Sequence, residues 1–146
     1  MHISNKCSIA VHCLILINEY GEENKVTSEL LALSTGCNPV TIRNIISAMK
    51  KDGIIDVKFG TGGATLAVPI QDVSLYRICV AVDPKAIDKM ISVHPAPSPF
   101  CPVGKNIGDV LDRTYNTLKE NLISSMKSIT MEKIVNDYHA ILDSDK

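Results

Sequence analysis

The chain has 146 residues, of which 45% are hydrophobic, with two phenylalanines, four tyrosines and no tryptophan. This length suits one ordinary domain, or one small domain with an added oligomerisation element, and the composition predicts an aliphatic core. A net charge of −1 excludes a strongly basic protein, the class to which many nucleic-acid-binding domains belong, but it leaves room for cations gathered on one face.

The five cysteines are scattered along the chain and form no Cys-x-x-Cys pair. No basic and apolar leader opens the sequence, and no purely apolar run is longer than residues 13–17, which are far fewer than a membrane span needs. We therefore predict a cytoplasmic protein with free thiols, no zinc site and no membrane contact. Cys7, Cys13 and Cys79 lie in apolar helical patterns, where we expect them to serve as small core residues.

A first helix is predicted from about Ser4, a suitable N-cap, to Gly21. Its apolar residues recur at intervals of three and four, and further cysteine, leucine and isoleucine side chains add a second apolar side. Because a surface helix needs only one apolar face, we expect this helix to be covered from two directions.

Residues 27–53 have the pattern of a helix, a turn and a second helix. Thr27 can cap the first of these, Gly36 can take the positive φ that ends it, and Asn38 followed by Pro39 is typical of the start of the next. The inner face of the first helix is expected to consist of Leu30, Leu31 and Leu33, and that of the second of Val40, Ile42, Ile45, Ile46 and Met49.

Two β-prone segments, residues 54–59 and 64–68, are separated by Gly60-Thr61-Gly62-Gly63, which predicts a two-stranded hairpin. Helix, turn, helix and hairpin in this order predict a winged helix-turn-helix. The expected fold class is therefore mainly α with a small β-hairpin. A helix is then predicted from Leu75 to Asp83, followed by a turn or short helical piece at 84–91.

Four of the seven prolines lie in residues 94–102, which predicts a semi-rigid connector. A long helix with one apolar stripe is predicted after Gly104, up to about Ser128, and a last helix after Thr130. The long helix would extend roughly 37 Å, more than a winged-helix core can cover, so we predict that it is a dimer element.

The predicted organisation is therefore a winged helix-turn-helix domain at 1–83, a proline-rich connector at 84–103, and a dimerisation helix with a C-terminal helix at 104–146.

The second helix of a helix-turn-helix enters the major groove of DNA with its N-terminal residues near the base edges. Arginine can pair with guanine and asparagine with adenine, while threonine and valine methyl groups can touch the thymine methyl group. Side chains farther along suit phosphates, which position a protein without reading sequence. The predicted base-reading residues are Asn38, Pro39, Val40, Thr41, Arg43 and Asn44, and the predicted backbone-binding residues are Ser47, Lys50 and Lys51.

The hairpin tip is a second candidate contact with DNA. Lys58, the hydroxyl of Thr61 and the backbone at Gly62 would approach a phosphate closely. The alternative is an ordinary hairpin loop, and for the whole module a winged-helix domain that binds protein instead of DNA. We favour DNA because helix, turn and hairpin occur together.

Cys101 lies just before the long helix, where the positive end of the helix dipole lowers a thiol pKa. This position would suit a redox sensor, with His94 and Lys105 nearby in sequence. We favour the alternative, a partly buried and unreactive cysteine held by flanking prolines, because burial raises a thiol pKa.

Enzymatic chemistry has little support in the sequence. The four histidines have no metal-ligand spacing, and the chain contains no nucleophile motif, P-loop or dinucleotide fingerprint. His12 lies in the apolar stretch of the first helix and is predicted to be a core histidine. We therefore expect a protein that is not an enzyme.

Several strings, taken in order, resemble the Rrf-two family of bacterial winged-helix transcription regulators, and the resemblance covers nearly the whole chain. The family includes iron–sulfur-cluster, nitric-oxide-responsive and cysteine-metabolism repressors. The matching strings, besides the opening helix, are NPVTIR at 38–43, KKDGII at 50–55, the wing glycines with Leu66 and Ala67, VSL at 73–75 leading to Ala81 and Val82, and CPVG at 101–104.

The resemblance implies a sequence-specific repressor of redox, metal or sulfur metabolism genes. It also implies a homodimer, formed through helix 104–128 and the first helix, that presents two recognition helices to a palindromic operator. Cluster-binding members carry three closely spaced cysteines before the long helix, where this chain has Cys101 alone, so we expect no iron–sulfur cluster and no other cofactor. The wing departs as well, with Phe59 and Ala64 in place of an arginine and an aromatic residue.

Overall fold

The computed structural model describes residues 3–58 and 62–145, so Phe59, Gly60 and Thr61 of the predicted wing lie outside the described residues. Within them the chain is mainly helical, with one antiparallel hairpin, as predicted. The elements are α1 (Asn5–Tyr20), α2 (Ser28–Thr35), α3 (Pro39–Lys51), β1 (Ile55–Val57), β2 (Ala64–Leu66), α4 (Leu75–Val82), α5 (Ala86–Met90), α6 (Pro102–Ser128) and α7 (Met131–Ser144), with a 3₁₀ turn at Ile70–Asp72.

The helix-turn-helix begins and ends at the residues that the sequence predicts. The Thr27 hydroxyl accepts a hydrogen bond of 3.2 Å from the backbone N–H of Leu30, and the Asn38 side chain accepts one of 2.8 Å from that of Val40. These bonds satisfy amide groups that have no partner inside the helix. Gly36 ends α2 in the left-handed region, with φ of 69°.

The centre of the fold is α1, which packs against α2, α3, α4 and β2. Its partly buried residues also contact the core, which confirms that this helix is covered from more than one side. The core is aliphatic, and its largest fully buried side chains are Leu14, Ile17, Val26, Leu31, Ile42, Met49, Ile54, Ile55, Val73, Ile78 and Met131.

Three apolar side chains assigned to inner faces are exposed instead. Leu33 is 81% exposed and Leu30 39%, while Ala32 takes the inner position beside Leu31. In α3, Val40 is 55% exposed although Ile42 is fully buried. The reason is geometric, because residues two apart on a helix are separated by roughly 200° around its axis.

The hairpin is shorter than predicted and is anchored at its base. Ile55 pairs with Leu66 and Val57 with Ala64. The backbone N–H of Ala64 also donates a 3.0 Å hydrogen bond to the carbonyl of Val26, just before α2. The hairpin is therefore bonded to the segment that leads into the helix-turn-helix.

The C-terminal half of the chain packs against the winged-helix core. α6 begins at Pro102, two residues before its predicted start, and its buried residue is Met126. Met131 of α7 and Met126 belong to the same hydrophobic cluster as α1. The backbone N–H of Leu75 donates to Ile129, and that of Met131 donates to Val73, both at 2.8 Å. The three-part division of the chain stays a prediction, but side-chain packing crosses its boundary at 104.

No described helix is long and apolar enough to cross a membrane. Cys7, Cys13 and Cys79 are buried, as predicted. His12 is not a core residue: it is exposed, and its Nε2 lies 2.9 Å from the hydroxyl of Ser34.

Candidate nucleic-acid interface

The outer face of α3 carries the predicted DNA-contacting residues. Ile42, Ile45 and Met49 hold the opposite face in the core. The exposed residues of the predicted set are Asn38, Pro39, Val40, Arg43, Asn44, Ser47, Lys50 and Lys51, and Thr41 is half-buried. This placement leaves an almost entirely polar helical surface open to a ligand.

One flank of α3 borders a groove of about 430 Å³, which we call the wing groove. Arg43, Ser47 and Lys50 line it from α3. Its other walls are the start of α2 at residues 27–29 and the hairpin base at residues 62–64. The structure thus brings three predicted α3 residues together with Gly62 of the predicted wing. Because the acidic Glu29 is also part of the wall, the groove is not uniformly basic.

The other flank of α3 faces α1. Thr41 and Asn44 line a smaller cavity of about 150 Å³ together with Lys6 and Val82. Thr41 and Arg43 therefore lie on opposite flanks, as two residues separated by roughly 200° must. Lys6 was missed by the sequence analysis, because a cation on α1 carries no local signal of proximity to α3.

The C-terminal end of α3 is held by a side chain from α4. The guanidinium of Arg77 donates from Nε to the Asp52 carboxylate at 2.8 Å and from Nη2 to the Asp52 carbonyl at 2.9 Å. Asp52 is the residue that follows Lys51 at the end of the helix. We call this contact the Arg77 clamp. Its two partners are 25 positions apart in the chain, which explains why the sequence gives no sign of the contact.

The base of the wing packs closely. A Cβ atom on Gly62 would lie 2.6 Å from the Cβ of Lys58, and one on Gly63 would collide with the backbone of Val26. The exposed Lys58 therefore lies over a backbone stretch that tolerates no larger residue without rearrangement. The predicted role of Thr61 concerns a residue outside the described ranges.

Cys101 is exposed at the N-cap position of α6, so the favoured expectation of a partly buried thiol is wrong. The backbone N–H groups of Gly104 and Val103, at the start of α6, lower the pKa of the Cys101 thiol below its ordinary value. This direction agrees with the effect expected at a helix N-terminus. Whether the thiol reacts stays a prediction.

A second surface is apolar and lies along α6. An open cavity of about 670 Å³, which we call the α6 groove, is lined by Ile3, Met90, Ile91, Ser92, Tyr115, Leu118 and Leu122. Leu118 is 48% exposed, and Val110 and Val103 nearer the start of the helix are 66% and 69% exposed. A helix with this much uncovered apolar surface is typical of an interface with another chain.

The chain matches the model of the Rrf2 family, described as "Iron-dependent Transcriptional regulator", over residues 3–137. This description implies bound iron, and the side chains that could bind iron show whether the chain fits it. Among residues 3–58 and 62–145, no three His, Cys, Asp or Glu side chains come together in a way that could hold a metal ion. The described residues of this chain therefore do not fit an iron site.

Known relatives agree with the family match. The chain is 33% identical over 134 residues to "Putative HTH-type transcriptional regulator YwnA" of Bacillus subtilis (strain 168), covering 92% of this chain and 97% of that protein. Two solved structures share the fold.

A structure described as a "putative transcriptional regulator" from Lactobacillus plantarum is 27% identical, with a TM-score of 0.75, covering 92% of this chain and 89% of the other. T. potens IscR is 16% identical, with a TM-score of 0.69, and the match covers 94% of this chain and 88% of the other. The family match over nearly the whole length, with these relatives, establishes that the chain belongs to the Rrf2 family of transcription regulators.

Proposed function

We propose that the chain is a cytoplasmic, homodimeric repressor that binds a palindromic operator in double-stranded DNA and has no enzymatic activity. The observation that carries this proposal is the wing groove, where Arg43, Ser47 and Lys50 meet the start of α2 and the hairpin. Cations and hydroxyl groups along one surface, together with the N-terminal end of α2, suit a phosphate backbone.

The residues on the two flanks of α3 have different neighbours, which suggests different roles in binding DNA. Arg43 stands beside the wing groove, while Thr41 and Asn44 stand beside Lys6 on the flank facing α1. Val40, exposed in the first turn, is available to the methyl group of a thymine. We propose that the N-terminal turns of α3 read bases, and that Lys50, Lys51 and Lys58 hold the DNA backbone.

The α6 groove supports the homodimer. It combines the first residues before α1 with α5 and the middle of α6, and its wall is mostly apolar. A second copy of α6 would cover this surface, and α6 is long enough for the purpose, since 27 residues extend about 40 Å. A dimer would also double the modest number of cations presented to DNA.

The proposal is tested by selecting bound fragments from the genomic DNA of the source organism and titrating them with purified protein. Arg43→Ala should relax specificity at one base-pair position and cost about 1–3 kcal/mol. Lys51→Ala should weaken all sequences alike and lower the salt slope by about one. If no fragment is selected, the alternative function, a winged-helix subunit that binds protein, is favoured. If both variants bind DNA like the parent protein across a salt titration, the assignment of α3 as the DNA-contacting helix is wrong.

A second candidate function is a thiol-based sensor that uses Cys101. Its support is the exposure of the sulfur and the two N–H groups that favour its thiolate. Cys101→Ser should then abolish the effect of a peroxide or an electrophile on DNA binding. An unchanged response in that variant would rule out this candidate.

A further inference from the structure

A phenylalanine projects into solvent at the start of α6. Phe100 is 95% exposed, more than any other large apolar side chain of residues 3–58 and 62–145. Its backbone N–H donates a 3.3 Å hydrogen bond to the hydroxyl of Ser98. A Cβ atom on Gly104 would lie 2.6 Å from the Ser98 carbonyl oxygen, so the connector lies directly on the first turn of α6. The ring is therefore held outward by closely packed backbone, as an aromatic anchor at an interface would be.

A groove on the outer surface of α1 is a candidate site for this ring. Its volume is about 430 Å³, and we call it the α1 groove. It lies between α1 (Val11, Ile15 and Leu16), the end of α2 (Ser34) and α7 (Tyr138). The three α1 side chains are half-buried against the core and leave apolar surface open to a phenylalanine, a side chain that buries about 150–250 Å². Neither this groove nor its candidate ligand belongs to the DNA-binding surface or to the α6 groove.

The length of α6 relates the two features. Tyr115 stands halfway between Pro102 and Ser128 and lines the α6 groove, the surface that the proposed dimer would cover. Two α6 helices that cross antiparallel at this point, about a two-fold axis, would each extend roughly 20 Å to either side. The start of the partner's α6 would then lie beside the end of this one, where Met126 packs in the same cluster as α1 and α7. The partner's Phe100 would therefore reach the end of the molecule that carries the α1 groove.

The charges of the two surfaces are complementary. Glu19, whose carboxylate lies 2.6 Å from Nε2 of His139, lines the α1 groove. Glu22 and Glu23 are exposed just beyond the end of α1. The first turn of α6 holds no acidic residue, and the N-terminal end of a helix carries a partial positive charge. An acidic rim that faces this positive end favours the approach of one protomer's α6 to the other's α1.

We propose that Phe100 of each protomer occupies the α1 groove of its partner. The two contacts are equivalent, as in any two-fold interface. Val103 and Val110, both exposed on α6, would continue the contact along the partner's surface. The inference rests on the proposed homodimer and not on the binding of DNA. It adds a contact at the two ends of the dimer to the one that the α6 groove makes in the middle.

The occupied groove would also connect the dimer to the helix-turn-helix. Nε2 of His12, which lines the groove from α1, lies 2.9 Å from the hydroxyl of Ser34. Ser34 belongs to the last turn of α2, and Gly36 ends that helix two residues later. A phenylalanine held against this pair restrains the turn between α2 and α3 without covering the DNA-binding surface. Hydrogen exchange at residues 34–37 should therefore be slower in the dimer than in a monomeric variant.

The first measurement uses the absence of tryptophan from the chain. Phe100→Trp introduces a single indole at the site. In the dimer its fluorescence should shift to shorter wavelength and resist quenching by acrylamide, because the partner covers it. Adding Leu118→Asp, which separates the protomers, should return both properties to those of an indole in water. An indole that is equally exposed in the dimer and in the separated protomers would overturn the inference.

The second measurement is the dissociation constant of the dimer. Because Phe100 is exposed in the protomer, Phe100→Ala should leave the protomer folded, with an unchanged circular dichroism spectrum. Sedimentation equilibrium should show a dissociation constant raised by about a hundredfold or more, since each dimer loses two anchors. His94→Ala, which removes an exposed ring from the same connector, is the control and should leave the constant unchanged. A Phe100→Ala variant that dimerises like the parent would contradict the inference.

Cross-linking tests whether the α1 groove is the place where the partner binds. Ser8 and Ser34 are exposed on its rim, and Ser8→Cys and Ser34→Cys each exchange an oxygen for a sulfur. Mild oxidation should link at least one of them to the partner's Cys101, which gives a covalent dimer on a gel run without reductant. The covalent dimer should disappear when Cys101→Ser is added.

The outcomes separate the inference from the proposed function. A parent protein that dimerises but gives no covalent dimer with either serine variant overturns the inference alone. A monomeric parent overturns the inference and the homodimer together. A dimer that is cross-linked as expected but binds no DNA overturns the proposed DNA-binding function and supports the inference.

Discussion

The proposed recognition helix α3 and the long helix α6 differ in how their apolar side chains are covered. α3 buries Ile42, Ile45 and Met49 in its own chain's core and leaves a polar face outside. α6 buries Met126 near its end and leaves Val110 and Leu118 exposed. Because apolar surface favours burial, the comparison teaches that α3 is completed by its own chain, whereas the exposed apolar side of α6 is the surface that the proposed dimer would cover.

The sharpest test of the first half of this comparison is Ile42→Ala. Ile42 is fully buried, so removing its side chain should lower the free energy of unfolding by about 2–5 kcal/mol, measured by urea denaturation. Val40→Ala, on the exposed side of the same helix, is the matched control and should change stability by less than about 0.5 kcal/mol. Equal losses in the two variants would contradict the assignment of the faces.

The role of the exposed apolar side of α6 is tested by Leu118→Asp. If α6 packs against a second copy, this change places two charges in one interface and removes two leucine side chains from it, at a cost of about 3 kcal/mol or more. Sedimentation equilibrium should then show a weaker dimer, by roughly a hundredfold in dissociation constant. The exposed Asn116 lies two residues away, and Asn116→Asp should leave the dimer intact. A parent protein that sediments as a monomer would refute the comparison.

A smaller effect is expected at the flank of α3 that faces α1. Lys6 lines the cavity with Thr41 and Asn44, so we expect its ammonium group to contact a DNA phosphate. Lys6→Ala should lower affinity for all sequences equally and reduce the salt slope by about one. The same change at Lys105, exposed on α6, should leave the salt slope unchanged, and a loss confined to certain sequences would indicate base reading instead.

The smallest effect on stability is expected at the Arg77 clamp. Both side chains of this ion pair are about one-third exposed, so Arg77→Ala should cost no more than about 1 kcal/mol of stability. It should nevertheless increase hydrogen exchange at the end of α3, because Asp52 loses the partner of its carboxylate and carbonyl. Lys133→Ala removes an exposed ion pair with Asp137 on α7 and should leave that exchange unchanged.

Local chemistry made much of the helix-turn-helix predictable. Thr27, Gly36 and Asn38 cap or end helices through bonds within a few residues, which a sequence displays directly. Leu33 and Val40 were assigned wrongly to inner faces. Each has an apolar neighbour two positions away on the same helix, and the sequence alone does not show which of the two side chains points into the core. The structure alone could supply the approach of Lys6 to α3 and of Arg77 to Asp52, since both join residues more than twenty positions apart.

The backbone bonds that join residues 73–75 to residues 129–131 have a consequence for operator spacing. They fasten the C-terminal end of α6 to the start of α4, the helix that carries the Arg77 clamp. In the proposed dimer built on α6, the separation of the two recognition helices would therefore be set by this joint and not by the proline-rich connector. Inserting residues into the proline-rich connector should leave the preferred distance between the two DNA half-sites unchanged. Inserting one residue at position 129 should alter that distance.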